Sequence, residues 1–296
     1  DNIMPWSGMV RSIDPNAGEV VAIPKFYFKW ETDGTKATGL KISMGKQPGF
    51  NASPAHMNRG DGKGERDVIY VGRYHSCSTY KSTTGQLPKN NITRSDARTA
   101  AHSLGSNVWS FDFATRVTIW MLYLVEFADW NSQAKIGYGC GNNSNIENVG
   151  ASDSMQYHTG TMQTYYGVGV QYRNIEGLWD NVFDWVDGCY YSSSGMSVIL
   201  NPNNFSDTEN GTVIGTPVAD SWVGSFAVSD WAIYPNASNG SSTTGSCDYW
   251  FYNSNYPCLY CGGSCYLSEQ LGLFYVYRNT VSNKYSYVGF RVIVLP

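Results

Sequence analysis

The chain has 296 residues and a formal net charge of -4, and aromatic residues, including 22 Tyr, make up the same share as charged ones, 15%. That length can bury a core in one large domain or two, and the aromatic content excludes a disordered chain. The acidic balance without a basic run argues against nucleic acid as a partner. The longest apolar run is interrupted by Glu126 and Asp129, which argues against membrane insertion.

The N-terminal half contains one predicted strand and two predicted helices. Residues 20–30 are rich in β-branched and aromatic side chains, which is typical of a strand. Ser95 and Asp96 are residue types that cap helices, so the first helix is expected to open there. In the second helix, apolar residues from Phe113 to Val125 recur at spacings of three and four and give one wide apolar face.

The middle of the chain carries the run YRNIEGLWDNVFDWVDG at 172–188. Apolar residues between 175 and 182 fit helical spacing, whereas 182–186 alternates as a strand does. Its large side chains, Trp179, Phe183 and Trp185, are expected to be buried anchors of the core.

Long loops and a single domain are predicted for the rest. The segments 142–150, 201–215 and 235–245 are rich in Asn, Ser, Gly and Thr and lack periodicity, so we expect irregular loops there. We expect one elaborated domain over 19–296 after a lead-in at 1–18. Because the chain begins at Asp1 without Met or a signal-like segment, we expect further residues upstream.

Tyrosines alternate with apolar residues near the C-terminus. In 274–278 the alternation predicts that Phe274 and Val276 are buried and that Tyr275 and Tyr277 lie on the opposite face. The same parity in 285–294 predicts that Phe290 and Val292 are buried, whereas Tyr285 and Tyr287 are exposed. Surfaces of Tyr, Ser and Asn are typical of antibody binding sites. The alternative is a Tyr-rich surface that has no partner.

Short motifs in the chain resemble two known groups of proteins. The three motifs of the C-terminal segment are Gly262-Gly263-Ser264, Gly272-Leu273-Phe274 and Val288-Gly289-Phe290-Arg291. This segment resembles the variable region of proteins diversified by diversity-generating retroelements, with Cys265 standing where an aromatic residue is common. The run at 172–188 resembles tail-fibre proteins from phages of gut bacteria, which share the formylglycine-generating-enzyme type of C-type lectin fold.

The resemblance implies a fold and a set of ligand-binding residues. The fold is an α+β C-type lectin fold, with mixed twisted sheets, two helices and long irregular loops. The variable ligand-binding region covers 246–291. Its expected contact residues are Asp248, Tyr249, Phe251, Tyr252, Asn253, Tyr266, Leu267, Ser268, Gln270, Tyr275, Tyr277, Arg278, Tyr285 and Tyr287.

The function that the resemblance implies is host recognition. The chain is expected to be the receptor-binding domain of a phage tail fibre, located in the virion. Its expected partners are a host cell-surface protein or glycan and further copies of itself, in a homotrimer or another homo-oligomer. One alternative is a variable adhesin displayed on a bacterial surface, and another is a glycan-cleaving tail enzyme.

Four cysteines lie close together in the C-terminal segment: Cys247, Cys258, Cys261 and Cys265. Thiolates at such spacing can bind zinc, but a second Cys-x2-Cys pair is missing. Free thiols and a local disulfide are the other possibilities. The catalytic context of the formylglycine-generating enzymes is not matched around Cys258 and Cys261, so we reject an oxidase.

Other catalytic and metal motifs are weak. The EPN, QPD and WND triplets of calcium-dependent lectins are absent from the sequence. Glu126 with Asp129, or Asp184 with Asp187, could form the carboxylate pair of a glycosidase, although structural acids are far commoner. We therefore expect a binding protein that is not an enzyme and needs no metal or cofactor.

Overall fold

Short strands dominate the secondary structure. The computed structural model describes residues 2–140, 145–162, 167–208, 211–218, 220–267 and 271–296. Strands hold 33% of the residues and helices 12%. The expected α+β C-type lectin fold is therefore wrong, because the molecule is mostly β and arranges its strands in five sheets.

The described residues form 22 strands. The first eleven are β1 (Arg11–Asp14), β2 (Gly18–Pro24), β3 (Tyr27–Asp33), β4 (Lys36–Ser43), β5 (Asn51–Ala52), β6 (Val68–Gly72), β7 (Val108–Ser110), β8 (Gly160–Thr161), β9 (Val170–Tyr172), β10 (Ile175–Glu176) and β11 (Phe183–Val186). The others are β12 (Cys189–Ser192), β13 (Gly195–Val198), β14 (Thr212–Gly215), β15 (Ser221–Trp222), β16 (Ser225–Ser229), β17 (Ala232–Ala237), β18 (Tyr249–Trp250), β19 (Cys258–Cys261), β20 (Val276–Asn279), β21 (Val288–Gly289) and β22 (Val292–Val294).

The described part of the chain also forms three α-helices: α1 (Arg94–His102), α2 (Phe113–Phe127) and the single turn α3 (Ser132–Lys135). Thr93, rather than Ser95 or Asp96, caps α1, because its side chain accepts a hydrogen bond from the Asp96 backbone N–H. The short α3 was not predicted.

Helix α2 confirms the predicted second helix and lies at the centre of the molecule. Its N-cap is Asp112, whose carboxylate accepts a hydrogen bond from the Thr115 N–H at 2.7 Å. Every residue from Phe113 to Tyr123 is buried. The helix is therefore enclosed on all sides in that stretch, whereas the sequence pattern predicted a single apolar face.

The predicted strand at 20–30 divides into β2 and β3. Pro24, which ends β2, has no backbone N–H to continue the ladder. β1 lies within the predicted lead-in and pairs antiparallel with β2. The lead-in is thus part of a sheet.

The run at 172–188 forms strands and turns. Gly177 and Asn181 have φ angles of 72° and 64°, which a right-handed helix excludes, so the helical spacing before 182 does not produce a helix. The alternation at 182–186 does produce β11. Trp179, Phe183 and Trp185 are buried as predicted.

The predicted loops are partly ordered into strands. The segment 201–215 contains β14, and β17 extends into the segment 235–245. In the segment 142–150, residues 145–150 form no strand, and 142–144 lie outside the described residues.

The sheets join distant parts of the chain. One five-stranded sheet has the order β1-β2-β6-β22-β7, and the other has the order β17-β16-β4-β3-β5. The six-stranded sheet has the order β15-β18-β20-β19-β11-β21. The two three-stranded sheets are β10-β9-β8 and β12-β13-β14.

Two hydrophobic cores lie against the six-stranded sheet. The larger core surrounds α2 and includes Trp120, Trp179 and Trp250. The smaller core lies between the six-stranded sheet, α1 and the first sheet, and includes Trp185 and Phe290. Side chains of one strand enter different cores according to their parity.

The glycine and arginine residues of the C-terminal motifs are structural. A Cβ on Gly262, whose φ is 93°, would lie 2.3 Å from the Leu178 carbonyl oxygen. A Cβ on Gly272 would lie 2.1 Å from Asp248 Oδ1. Arg291 is fully buried, donates hydrogen bonds to four carbonyl oxygens, and pairs with Asp184 at 3.1 Å. These motifs hold the sheets together.

Candidate functional site

The two faces of the six-stranded sheet carry different side chains. In β19 and β20, Leu259 and Val276 enter the larger core, whereas Tyr260 and Tyr277 point to the opposite face. Helix α1 and the first sheet cover this second face around Trp185. Further along the sheet the face is only partly covered, and aromatic rings reach solvent there.

Aromatic rings form a continuous row across this second face. We call the row the aromatic ladder; its members are Trp222, Tyr249, Phe251, Tyr277, Tyr260, Phe183 and Tyr287, with Tyr285 and Tyr266 each packed on Tyr287. Centroids of neighbouring rings lie 4.3 to 6.2 Å apart. These separations are typical of favourable aromatic pairs.

Six of the predicted contact residues belong to the aromatic ladder: Tyr249, Phe251, Tyr266, Tyr277, Tyr285 and Tyr287. Tyr266 is the most exposed of them, at 48%. The other five are half-buried, since each ring packs against at least one other ring. Of the tyrosines predicted to be exposed on one face, Tyr277, Tyr285 and Tyr287 reach solvent there at half-buried positions.

Tyr275 is a correction, because only 1% of it is exposed. It lies on the predicted face, but Phe183, Phe251 and Tyr277 surround its ring. Burial raises the pKa of its phenol well above the ordinary value. The predicted burial of the apolar residues is confirmed for Phe274, Val276, Phe290 and Val292.

Asp248 is a second correction, because it is buried rather than displayed. Its carboxyl accepts a hydrogen bond from the Phe274 backbone N–H at 2.7 Å and contacts the turn at Gly272. Burial raises the pKa of this carboxyl well above its ordinary value. Asp248 therefore supports the backbone at Gly272 and Phe274 and is not displayed to a ligand.

Most of the remaining predicted residues make hydrogen bonds, ion pairs or packing contacts within the chain. Arg278 pairs with Asp220 at 2.7 Å and lies over the Phe251 ring at 5.4 Å. Tyr252 donates its hydroxyl to the Ser192 carbonyl at 3.1 Å, and Asn253 accepts a hydrogen bond from the Asn255 N–H. Leu267 lies at the edge of the aromatic ladder. Ser268 and Gln270 lie outside the described residues.

A cavity of about 210 Å³ opens at one end of the aromatic ladder. We call it the tyrosine cavity; its lining residues are Phe183, Tyr260, Ser264, Tyr266, Leu267, Tyr277 and Tyr287. These seven side chains carry no charge, carboxylate, imidazole or thiol. They can offer aromatic faces and hydroxyl groups to a ligand, so the arrangement suits binding.

Three residues of the tyrosine cavity were not predicted as contacts: Phe183, Tyr260 and Ser264. Tyr260 is on the same face of β19 as Cys258 and pairs with Tyr277 of β20. The alternation within β19 does not show which of its two faces borders the cavity. Phe183 was assigned to the core, where most of it lies. Ser264 belongs to the Gly262-Gly263-Ser264 motif, and nothing in the sequence marks its hydroxyl.

The cysteines do not form the grouped site that their spacing suggested. Cys265 forms a disulfide with Cys140, which is 125 residues away in sequence, so the bond is not local. Cys258 and Cys261 are buried free thiols that lie in different cores, on opposite faces of β19. The four sulfur atoms therefore do not surround one zinc ion.

The four acids considered for glycoside hydrolysis each form an ion pair. Asp184 pairs with Arg291 and Asp187 with Arg98. Glu126 pairs with Arg173, and Asp129 with Lys135. Their positions away from the tyrosine cavity favour structural roles.

Comparison with other proteins does not identify a family for this chain. No protein-family model and no curated protein matches the chain. Among solved structures, the chain is similar to PvdO from Pseudomonas aeruginosa at 10% identity and a TM-score of 0.42, over 98% of this chain and 99% of that chain. A likeness this distant carries no inference. In the described part of the chain, no helix is long and apolar enough to cross a membrane.

Proposed function

We propose that this chain is the receptor-binding domain of a phage tail fibre and that the aromatic ladder is its host-recognition surface. It acts in the virion, as part of a homotrimer or another homo-oligomer. Its partner is a protein or glycan on the host cell surface. Recognition requires neither catalysis nor a cofactor.

The observation that carries this proposal is that residues 246–291 separate into buried motif residues and partly exposed tyrosines. The residues that resemble the family motifs, such as Leu273, Phe274 and Arg291, are fully buried. Four tyrosines between those motifs, Tyr266, Tyr277, Tyr285 and Tyr287, belong to the partly exposed aromatic ladder, whereas Tyr275 is buried. Such a division lets the exposed side chains change while the scaffold stays the same.

The chemistry of the aromatic ladder supports recognition. Tyr side chains provide a large contact area and lose little rotamer entropy on binding. Their rings are already held against one another, so the surface is ordered before a ligand arrives. Tyr and Arg are also the residues that most often dominate binding energy at interfaces.

An adsorption assay tests the proposal. Beads coated with the purified chain are mixed with a panel of gut bacterial isolates, and bound cells are counted. We expect some isolates to bind. The double variant Tyr266→Ala/Tyr287→Ala should raise the half-saturating concentration at least about thirtyfold, because loss of hot-spot residues costs about 2 kcal/mol or more.

The matched control is Tyr157→Ala, which removes a tyrosine that is 67% exposed and lies outside the aromatic ladder. It should bind as the wild type does, and circular dichroism should show that all variants are folded. Failure of every isolate to bind would contradict the proposal. Equal binding by the double variant and the wild type would do so too.

A further inference from the structure

A buried hydroxyl at the tyrosine cavity has no partner among the residues that the structure describes. Ser264 is 0% exposed and lines the cavity, and its Oγ makes no hydrogen bond to any of them. Leaving a buried hydroxyl unpaired costs folding free energy. A ligand that enters the cavity and pairs with this oxygen would remove that cost.

The backbone holds Ser264 in place. The next residue, Cys265, is tied to Cys140 by the disulfide, and its N–H donates to the Asn181 carbonyl at 3.1 Å. The Ser264 carbonyl accepts a hydrogen bond from the Leu267 N–H, also at 3.1 Å. Because both sides are fixed, the backbone keeps Ser264 at the wall of the cavity.

The walls of the tyrosine cavity combine aromatic faces with free hydroxyl groups. Tyr260 and Tyr277 stack at 5.3 Å with an angle of 12° between their rings, and Phe183 packs on Tyr260. Within the described ranges, no protein group hydrogen-bonds the hydroxyls of Tyr260, Tyr266, Tyr277 or Tyr287. Arg278, which lies over the Tyr277 ring, is already paired with Asp220. The cavity therefore favours a neutral ligand.

The volume limits the ligand to a single ring. The cavity holds about 210 Å³, which corresponds to roughly seven water molecules at about 30 Å³ each. Sites for drug-sized ligands are larger, at about 300–1,000 Å³. A peptide segment or an oligosaccharide could place only one unit inside.

We infer that the tyrosine cavity is a subsite for one neutral sugar ring, an inference that rests on the proposed function. The C–H groups of a pyranose pack on the electron-rich faces of aromatic rings. Its hydroxyls can both donate to and accept from Ser264 Oγ and the tyrosine hydroxyls. An apolar side chain from a protein receptor would fit the walls but would leave the Ser264 hydroxyl unpaired.

Saturation-transfer NMR and titration calorimetry with neutral methyl glycosides test this inference. The probes are the methyl glycosides of glucose, galactose, mannose and N-acetylglucosamine. We expect at least one to bind. Ser264→Ala should weaken that binding about three- to tenfold, as expected for loss of one hydrogen bond. The variant should melt no lower than the wild type, because it removes an unpaired buried hydroxyl.

The control is Tyr256→Ala, which removes an exposed tyrosine that contacts Arg278 but does not line the cavity. It should leave glycoside binding unchanged. Absence of binding by all four glycosides would overturn the inference, as would binding that is insensitive to Ser264→Ala.

If bacteria adsorb but no glycoside binds, the sugar subsite fails and the proposed function stands. If a glycoside binds through Ser264 but no bacterium adsorbs, the proposed function fails and the subsite stands.

Discussion

At the residue scale, His56 is held in its neutral form within the core. Its Nε2 lies 2.8 Å from the Ile23 carbonyl oxygen, and its Nδ1 lies 2.7 Å from Ser53 Oγ. Because a carbonyl can only accept, Nε2 carries the proton and Nδ1 accepts from the Ser53 hydroxyl. Burial lowers the pKa of this imidazole to about 4.

This pKa predicts a pH-dependent contribution of His56 to stability. The unfolded chain takes up the His56 proton below about pH 6.5, whereas the folded protein resists it down to about pH 4. The contribution is therefore complete above pH 6.5 and is lost as the pH falls. For His56→Gln, the wild-type advantage in unfolding free energy should be about 2–3 kcal/mol smaller at pH 4.5 than at pH 7.5.

Urea unfolding of both proteins at the two pH values measures this difference. Wild type must be compared with His56→Gln because burial also raises the pKa of the Asp180 and Asp248 carboxyls. These two groups give the unfolding free energy the opposite pH dependence. Both carboxyls are present in the two proteins, so their effects cancel. A wild-type advantage that is the same at both pH values would refute the assignment.

Residue parity could predict much of the site, though not how deeply each ring is buried. Alternation placed Tyr277 on the correct face, because side chains of a strand point to alternate sides. Tyr285 and Tyr287 also reach that face, but they precede β21 and lie outside any strand. It could not show that Tyr275 is enclosed by Phe183 and Phe251, which are distant in sequence. Burial of that kind depends on the packing of other strands.

At the element scale, the disulfide joins two loops that have no strand pairing with each other. Cys140 follows α3, whereas Cys265 comes shortly after β19 and adjoins Tyr266. A cross-link that spans 125 residues strongly restricts the unfolded chain. Replacing both cysteines with Ala should lower the unfolding free energy by about 2–5 kcal/mol.

Chemical denaturation in oxidising buffer measures this loss. Cys77→Ala is the matched control, since it removes a buried free thiol and no cross-link. It should cost clearly less than the double replacement. In reducing buffer the wild type should unfold as readily as the double variant. Identical denaturation midpoints for the wild type with and without reductant would contradict the role given to the bond.

Elements with a strong local pattern could be predicted, and short ones could not. Helix α2 was predicted because apolar residues recur through four turns from Phe113. Strands such as β8 and β21 have two residues each and no recognisable period. They exist because other strands offer backbone partners. The same dependence on distant partners explains why polar segments expected to be loops contain strands.

At the scale of the whole molecule, binding should not depend on a metal ion. Among the described residues, the one cluster with metal-ligating atoms is Cys140, Asp180 and Cys265, and its two sulfur atoms are joined in the disulfide. A disulfide sulfur is not the thiolate that metals prefer. Adsorption to responsive bacteria is expected to survive removal of metals, because the tyrosine cavity offers a ligand aromatic faces and hydroxyl groups.

The test uses protein dialysed against EDTA and assayed in metal-free buffer, with its metal content checked by elemental analysis. Untreated protein serves as the control, and the two should bind equally. Loss of adsorption that added calcium or zinc restores would show that recognition depends on a metal ion.

The position of β22 has a consequence for how the protein is synthesised. This strand is near the end of the chain, yet it lies between β6 and β7 in the first sheet. The ribosome must therefore translate the whole tyrosine-bearing segment before the N-terminal sheet can close. A premature stop codon or a frameshift within that segment would remove this interior strand of the first sheet, and proteases degrade chains that cannot fold. A chain that ends within the tyrosine-bearing segment would therefore leave β6 and β7 without the strand that joins them.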